Sequence, residues 1–111
     1  MTQPRPVRVG NYDLLEDFES NDASVRIIRM AKSAQAIQPH LHHRSTQIYV
    51  ALEGQSYVEC DGHPTLLKPY QVLVVAPETV HAAYPAGEIA VVLNVSIPPL
   101  KGDDQVLVPR L

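Results

Sequence analysis

Tryptophan is absent from the 111 residues, and phenylalanine and cysteine occur once each. No large aromatic core and no intrachain disulfide can hold this chain together. The lone Cys60 suits a reducing compartment. Charge of either sign is sparse: 9 Lys and Arg stand against 12 Asp and Glu, for a formal net charge of −3. That excludes the broad basic face that nucleic acid or an anionic membrane would require, so neither is an expected partner. Long apolar runs are also missing. The stretch from Val72 to Pro77 is far too short to span a bilayer. The first residues, Met1-Thr2-Gln3-Pro4-Arg5, carry no apolar signal core, and a cytoplasmic location is expected.

Short runs of Val, Ile and Leu are what the chain has instead, separated by turn signals that include many of its 10 prolines. These residues favour strands. Strand patterns cover Val25–Met30, Gln47–Leu52, Gln55–Cys60, Thr65–Leu67, Val72–Ala76, His81–Tyr84 and Ile89–Ile97. Asp61-Gly62 is the strongest hairpin signal among the turns. Many short strands with closely spaced turns, and no helix long enough for a parallel α/β fold, predict an all-β sandwich or barrel in a single domain. Residues 1–24 read as an extended N-terminal arm, within which Leu14 to Glu19 is expected to form one helical turn. Residues 25–97 form the barrel. Residues 98–111 are a tail whose Val106, Leu107 and Val108 pack on the barrel or on a partner subunit. A barrel this small gains core by association, and a homodimer is expected.

The chemistry-bearing residues are histidines. His40 and His42 are two apart in a strand-like stretch, so both rings point to one face. Gln47 can join them after a short bend at His43 to Thr46. His81 follows a later apolar strand and a turn. Two imidazoles on one strand and a third from across a barrel suit one divalent transition metal, such as Zn, Mn, Fe or Ni. His43 alternates away from the pair and is excluded as a ligand.

These residues give the chain its resemblance to the cupin superfamily. The first cupin motif places His-x-His ahead of a Glu and a Gly, and His40, His42, Gln47 and Gly54 occupy those positions. The second motif contributes His81, preceded by Lys68-Pro69 and the strand Val72-Leu73-Val74-Val75. Ala34, Gln47, Tyr70, Ala76, Glu78 and Pro85 depart from the motif residues, and turns without positive φ are expected at Tyr70 and Glu78. The resemblance implies a single double-stranded β-helix (a jelly-roll barrel). It also implies an enzyme using a mononuclear metal on a small anionic, oxygen-rich substrate, by isomerase, lyase or dioxygenase chemistry. A non-catalytic binding module and a metal-free barrel are the alternatives.

Gln47 stands where the usual Glu would bring a negative charge. It either ligates through its amide oxygen or hydrogen-bonds a water at the metal. In both cases the site keeps the full charge of the ion and attracts a chelating anion. Tyr49, two residues on, either lines the pocket as a hydrogen-bond or proton donor, and so is the candidate catalytic residue, or packs in the core. Cys60 is expected to be an inert interior residue and His63 an exposed one. Arg29 clamps a carboxylate if Val25 and Ile27 face inward, and is a solvated charge if Ile28 and Met30 do.

Overall fold

The computed structural model describes residues 12–32, 38–100 and 104–108, which form two five-stranded antiparallel sheets. One sheet has the order β1 (Asp13–Glu19), β2 (Ser24–Ala31), β9 (Ile89–Ile97), β4 (Thr46–Glu53), β7 (Val72–Val75). The other has the order β10 (Gln105–Leu107), β3 (His40–His42), β8 (His81–Pro85), β5 (Ser56–Cys60), β6 (His63–Leu67). Consecutive strands repeatedly change sheets, as in a jelly roll. No helix among the described residues is long and apolar enough to cross a membrane.

Strand alternation divides the inner face of the first sheet into two zones. Ile28, Met30, Ala51, Ala90 and Val92 meet Val58, Leu67 and Ala83 of the second sheet in an apolar core. Ser24 and Arg26 continue the buried parity of β2 beyond Ile28, and Gln47, Asn94 and Ser96 are buried on β4 and β9. Register aligns these residues in rows: Arg26, Asn94 and Tyr49 form one, and Ser24, Ser96 and Gln47 the next. The polar end of the barrel is therefore built into the pleat. Cross-strand pairing places side chains of one row about 5 Å apart at Cβ.

The outer face of the same sheet is also apolar. Phe18, Val25, Val95, Ile48 and Val74 form one cross-strand row, and Ile27, Leu93, Val50 and Val72 a second. Phe18 is 65% exposed and Val72 and Val74 are 58% exposed each.

Two turns differ from the sequence expectation. Tyr70 has φ +72° and Glu78 φ +68°, so both take the left-handed conformation without being glycine. Hydrogen bonds impose it: Tyr70 N–H donates to the Ala51 carbonyl at 2.7 Å and Glu78 N–H to the His42 carbonyl at 2.8 Å. Both side chains are exposed, so each Cβ has room, and the conformational cost is about 1–2 kcal/mol per residue. Gly54, by contrast, could not be replaced so easily. It has φ +66°, and the Ile89 carbonyl oxygen occupies the space a Cβ would need. Asp61-Gly62 forms the expected hairpin with φ +50° and +83°, joining Cys60 to His63.

The helical turn expected over Leu14 to Glu19 is a strand instead. Asp13–Glu19 pairs with β2 across a register shift between Leu14 and Glu16. A single helical turn is a costly nucleus, whereas the β2 edge offers a full ladder of hydrogen bonds. The strand also lies inside the stretch read as an arm. Ala34 and residues 1–11 lie outside the described residues. In the tail, β10 pairs with β3, Gln105 opposite His42 and Leu107 opposite His40.

Candidate metal centre

The two-residue spacing on β3 turns both His40 and His42 into the barrel, where both are buried. His81, the first residue of β8, lies directly opposite His40 in register. The ring centroids are 5.1 Å apart for His40 and His42, 4.3 Å for His40 and His81, and 5.5 Å for His42 and His81. One nitrogen from each ring lies within 4.8 Å of the others. The structure thus brings together the three histidines that the sequence pattern singled out.

Backbone carbonyls hold two of the rings in one tautomer. His40 Nδ1 donates to the Gln38 carbonyl at 2.7 Å and His81 Nδ1 to the Thr79 carbonyl at 2.9 Å. The proton on Nδ1 leaves a lone pair on Nε2. His81 Nε2 is buried without a hydrogen-bond partner among the described residues. Burial lowers the His40 pKa to about 3, assisted by His81 and His42. It lowers His42 to about 4, with His81 adding to the fall and Asp104 opposing it. His81 is also lowered by burial, against the pull of its Thr79 hydrogen bond. Three buried imidazoles are therefore neutral at neutral pH, with clustered lone pairs and little to satisfy them. That donor set fits a transition-metal ion.

Gln47 lies on β4, buried, in the wall of the same pocket. Its Nε2 has no hydrogen-bond partner among the described residues. The two ends of an amide exchange by a simple flip, so this group can present oxygen in that direction. Tyr49 is buried two residues further on, its ring centroid 6.1 Å from that of His81. Burial pushes its pKa well above the ordinary phenol value, with Cys60 and Tyr12 adding to the rise. The hydroxyl stays protonated and is available as a hydrogen-bond donor. Burial likewise raises Cys60, which remains a thiol.

His43 points outward, with its Nδ1 2.8 Å from a Glu78 carboxylate oxygen, and His63 is exposed. Arg29 is exposed and paired with Asp13 at 2.8 Å, as expected when Ile28 and Met30 face inward. That parity carries a consequence the sequence reading missed: Arg26 shares the inward face. It lines the pocket together with Asn94, Tyr12 and Gln105. The signal was the two-residue spacing from Ile28. The pocket opens to solvent.

The fold of the barrel is shared with known proteins. Residues 26–97, more than half of the chain, match the family model for the cupin domain. The chain belongs to the cupin family. An uncharacterised conserved protein with a double-stranded β-helix domain from Klebsiella pneumoniae is 22% identical, with a TM-score of 0.73 over 97% of this chain and 90% of that one. KdgF from a Halomonas species is 21% identical, with a TM-score of 0.67 over 86% and 84%. An oxalate oxidase solved with the substrate analogue glycolate is 18% identical, with a TM-score of 0.65 over 78% of this chain but 46% of the oxidase. No curated protein sequence matches the chain.

Proposed function

We propose that the protein is a mononuclear metal-dependent enzyme acting on a small, oxygen-rich anion, by isomerase, lyase or dioxygenase chemistry. The observation that carries this reading is the group of three neutral, clustered imidazoles, two of which, His40 and His42, line an open pocket. His40, His42 and His81 would hold a divalent ion such as Zn, Mn, Fe or Ni, with Gln47 as a fourth donor. Such an ion would act as a Lewis acid towards a chelating oxygen. Tyr49 supplies a hydrogen bond at its hydroxyl, which burial keeps protonated. A structural relative that holds glycolate, a small hydroxy acid, supports the substrate class by analogy of fold.

A non-catalytic binding module is the second reading. It is favoured by the absence of any carboxylate among the described residues lining the pocket. A panel of hydroxy and oxo acids, titrated into metal-loaded and metal-stripped protein with turnover followed by NMR, separates the two. Metal-dependent binding with turnover supports the enzyme, and metal-dependent binding alone supports the module. A purified protein that takes up no metal overturns both.

The neutrality of Gln47 makes a specific demand. Gln47→Glu should tighten metal binding and weaken the binding of chelating anions at least about tenfold, since a carboxylate cancels part of the charge the anion meets. Calorimetric titration of both ligands reads this. Unchanged anion affinity in the variant counts against the account.

We also propose a homodimer formed through the outer face of the first sheet. The nine apolar side chains of the two rows, on five strands about 4.8 Å apart, present roughly 500 Å² per copy, so a pair would bury about 1,000 Å². An apolar sheet face of this extent lies at the upper end of what a monomer exposes. Light scattering should give twice the 12.3 kDa chain mass. The double change Val72→Lys and Val74→Glu should return it to a single chain. A native mass of one chain overturns the proposal.

A further inference from the structure

One charged side chain in the pocket wall is left over when the histidines, Gln47 and Tyr49 have been given roles. Arg26 is 9% exposed, and a guanidinium buried to that degree needs compensation. The compensation it has is loose. Asp17, its cross-strand partner, approaches Nε at 3.6 Å, and Nη1 reaches the Tyr12 hydroxyl at 3.5 Å. A closed arginine–carboxylate fork has two contacts near about 2.8 Å.

The neighbouring side chain across the sheet is also under-used. Asn94 lies opposite Arg26 in register and is 8% exposed, and its Nδ2 has no hydrogen-bond partner among the described residues. Leaving a buried amide donor unpaired costs about 1–3 kcal/mol. Two hydrogen-bond donors, one of them cationic, therefore stand side by side on β2 and β9 and face one pocket. Arg26 carries the one fixed charge among the described lining residues.

We propose that Arg26 and the Asn94 amide form an anion subsite that holds a carboxylate of the ligand, apart from the oxygens offered to the histidines. Asp17 beside the guanidinium offsets part of its charge, which favours a singly charged carboxylate over a phosphate dianion. The register sets the spacing. Tyr49 is the third member of the Arg26–Asn94 row, and its ring lies 6.1 Å from that of His81. Arg26 and Tyr49 sit on strands two apart, about 10 Å between backbones. A ligand that spans both ends is an oxo or hydroxy acid with its carboxylate remote from its chelating oxygens. That span rests on the metal-centred reading above, whereas the anion subsite does not.

NMR of 15N-labelled protein, metal-stripped and zinc-loaded, tests the subsite directly. The Arg26 Nε–H and Asn94 side-chain signals should shift together and saturably with succinate in both states. The neutral analogue succinamide should bind at least about tenfold more weakly. Arg26→Gln should cut the succinate response of Asn94 at least about tenfold, and Arg26→Lys, which keeps the charge but not the fork, should retain part of it. Signals unmoved by succinate, or moved equally by succinamide, overturn the subsite even if the variants do not fold. Loss of the succinate response with zinc uptake intact removes the subsite alone. A full response in a protein that takes up no zinc removes the metal-centred reading and leaves the subsite.

Discussion

His81→Ala should lower the affinity for Zn2+ or Ni2+ by at least about 100-fold, measured by competition with a chromogenic chelator. Loss of a supporting hydrogen bond at a metal centre already costs about 10–100-fold. Loss of a ligand should cost more, because two imidazoles and an amide leave a divalent ion with no tight protein chelate. His81 is the informative choice. Its ring lies 4.3 Å and 5.5 Å from those of the two β3 histidines, so its removal opens the cluster without touching the His40–x–His42 strand. The same change should remove most of the thermal stabilisation by metal, which for a site filled at about 1,000 times its Kd is about 4 kcal/mol. His43→Ala and His63→Ala serve as controls, because both side chains are exposed and outside the cluster. Native-like affinity in His81→Ala would remove the three-histidine centre, whatever became of Gln47.

The histidine pair on β3 was legible because a period of two is a local property of a strand. The partnership of His40 with His81 was legible only through the family resemblance and the whole donor set, since their pairing rests on the register of β3 against β8 across 41 positions of chain. The barrel class could be read from the turns and the aliphatic runs, and the family model over residues 26–97 agrees with it. Arg26 escaped for a physical reason. In β2 the outward residues Val25 and Ile27 are as apolar as the inward Ile28 and Met30, so alternation alone did not say which side was the interior. The apolar outer face that obscured the pocket arginine is the same face proposed for dimerisation. Tyr70 and Glu78 show the converse limit. Residue type argued against positive φ, but hydrogen bonds to the Ala51 and His42 carbonyls decided it. The strand over Asp13–Glu19 likewise depends on a partner edge that no local pattern displays.

Acid should destabilise the metal-free protein steeply, and well above the range where carboxylates titrate. In the unfolded chain a histidine binds its proton below about pH 6.5. In the fold, burial holds His40 neutral down to about pH 3 and His42 to about pH 4, and it depresses His81 as well. Between those limits the unfolded state binds more protons than the native state, so stability rises with pH and falls as pH is lowered through 6.5. Each such histidine contributes a little over 1 kcal/mol per pH unit. His40 and His42 together should therefore remove about 2 kcal/mol between pH 6 and pH 5, and His81 adds to it in the same direction, a large share of the about 5–15 kcal/mol that a domain of this size possesses. Urea midpoints at pH 7, 6 and 5, with the slope m unchanged, would display it. His40→Gln should flatten the dependence by about one histidine's share while leaving the pH 7 value closer to native than the pH 5 value. With zinc bound, stability should be higher but fall in parallel between pH 7 and pH 5, because the buried imidazoles carry no protons for the ion to displace in that range. A flat profile between pH 7 and pH 5 in the metal-free protein would mean that the three imidazoles are not held neutral by burial, and the donor set for the metal would lose its physical basis.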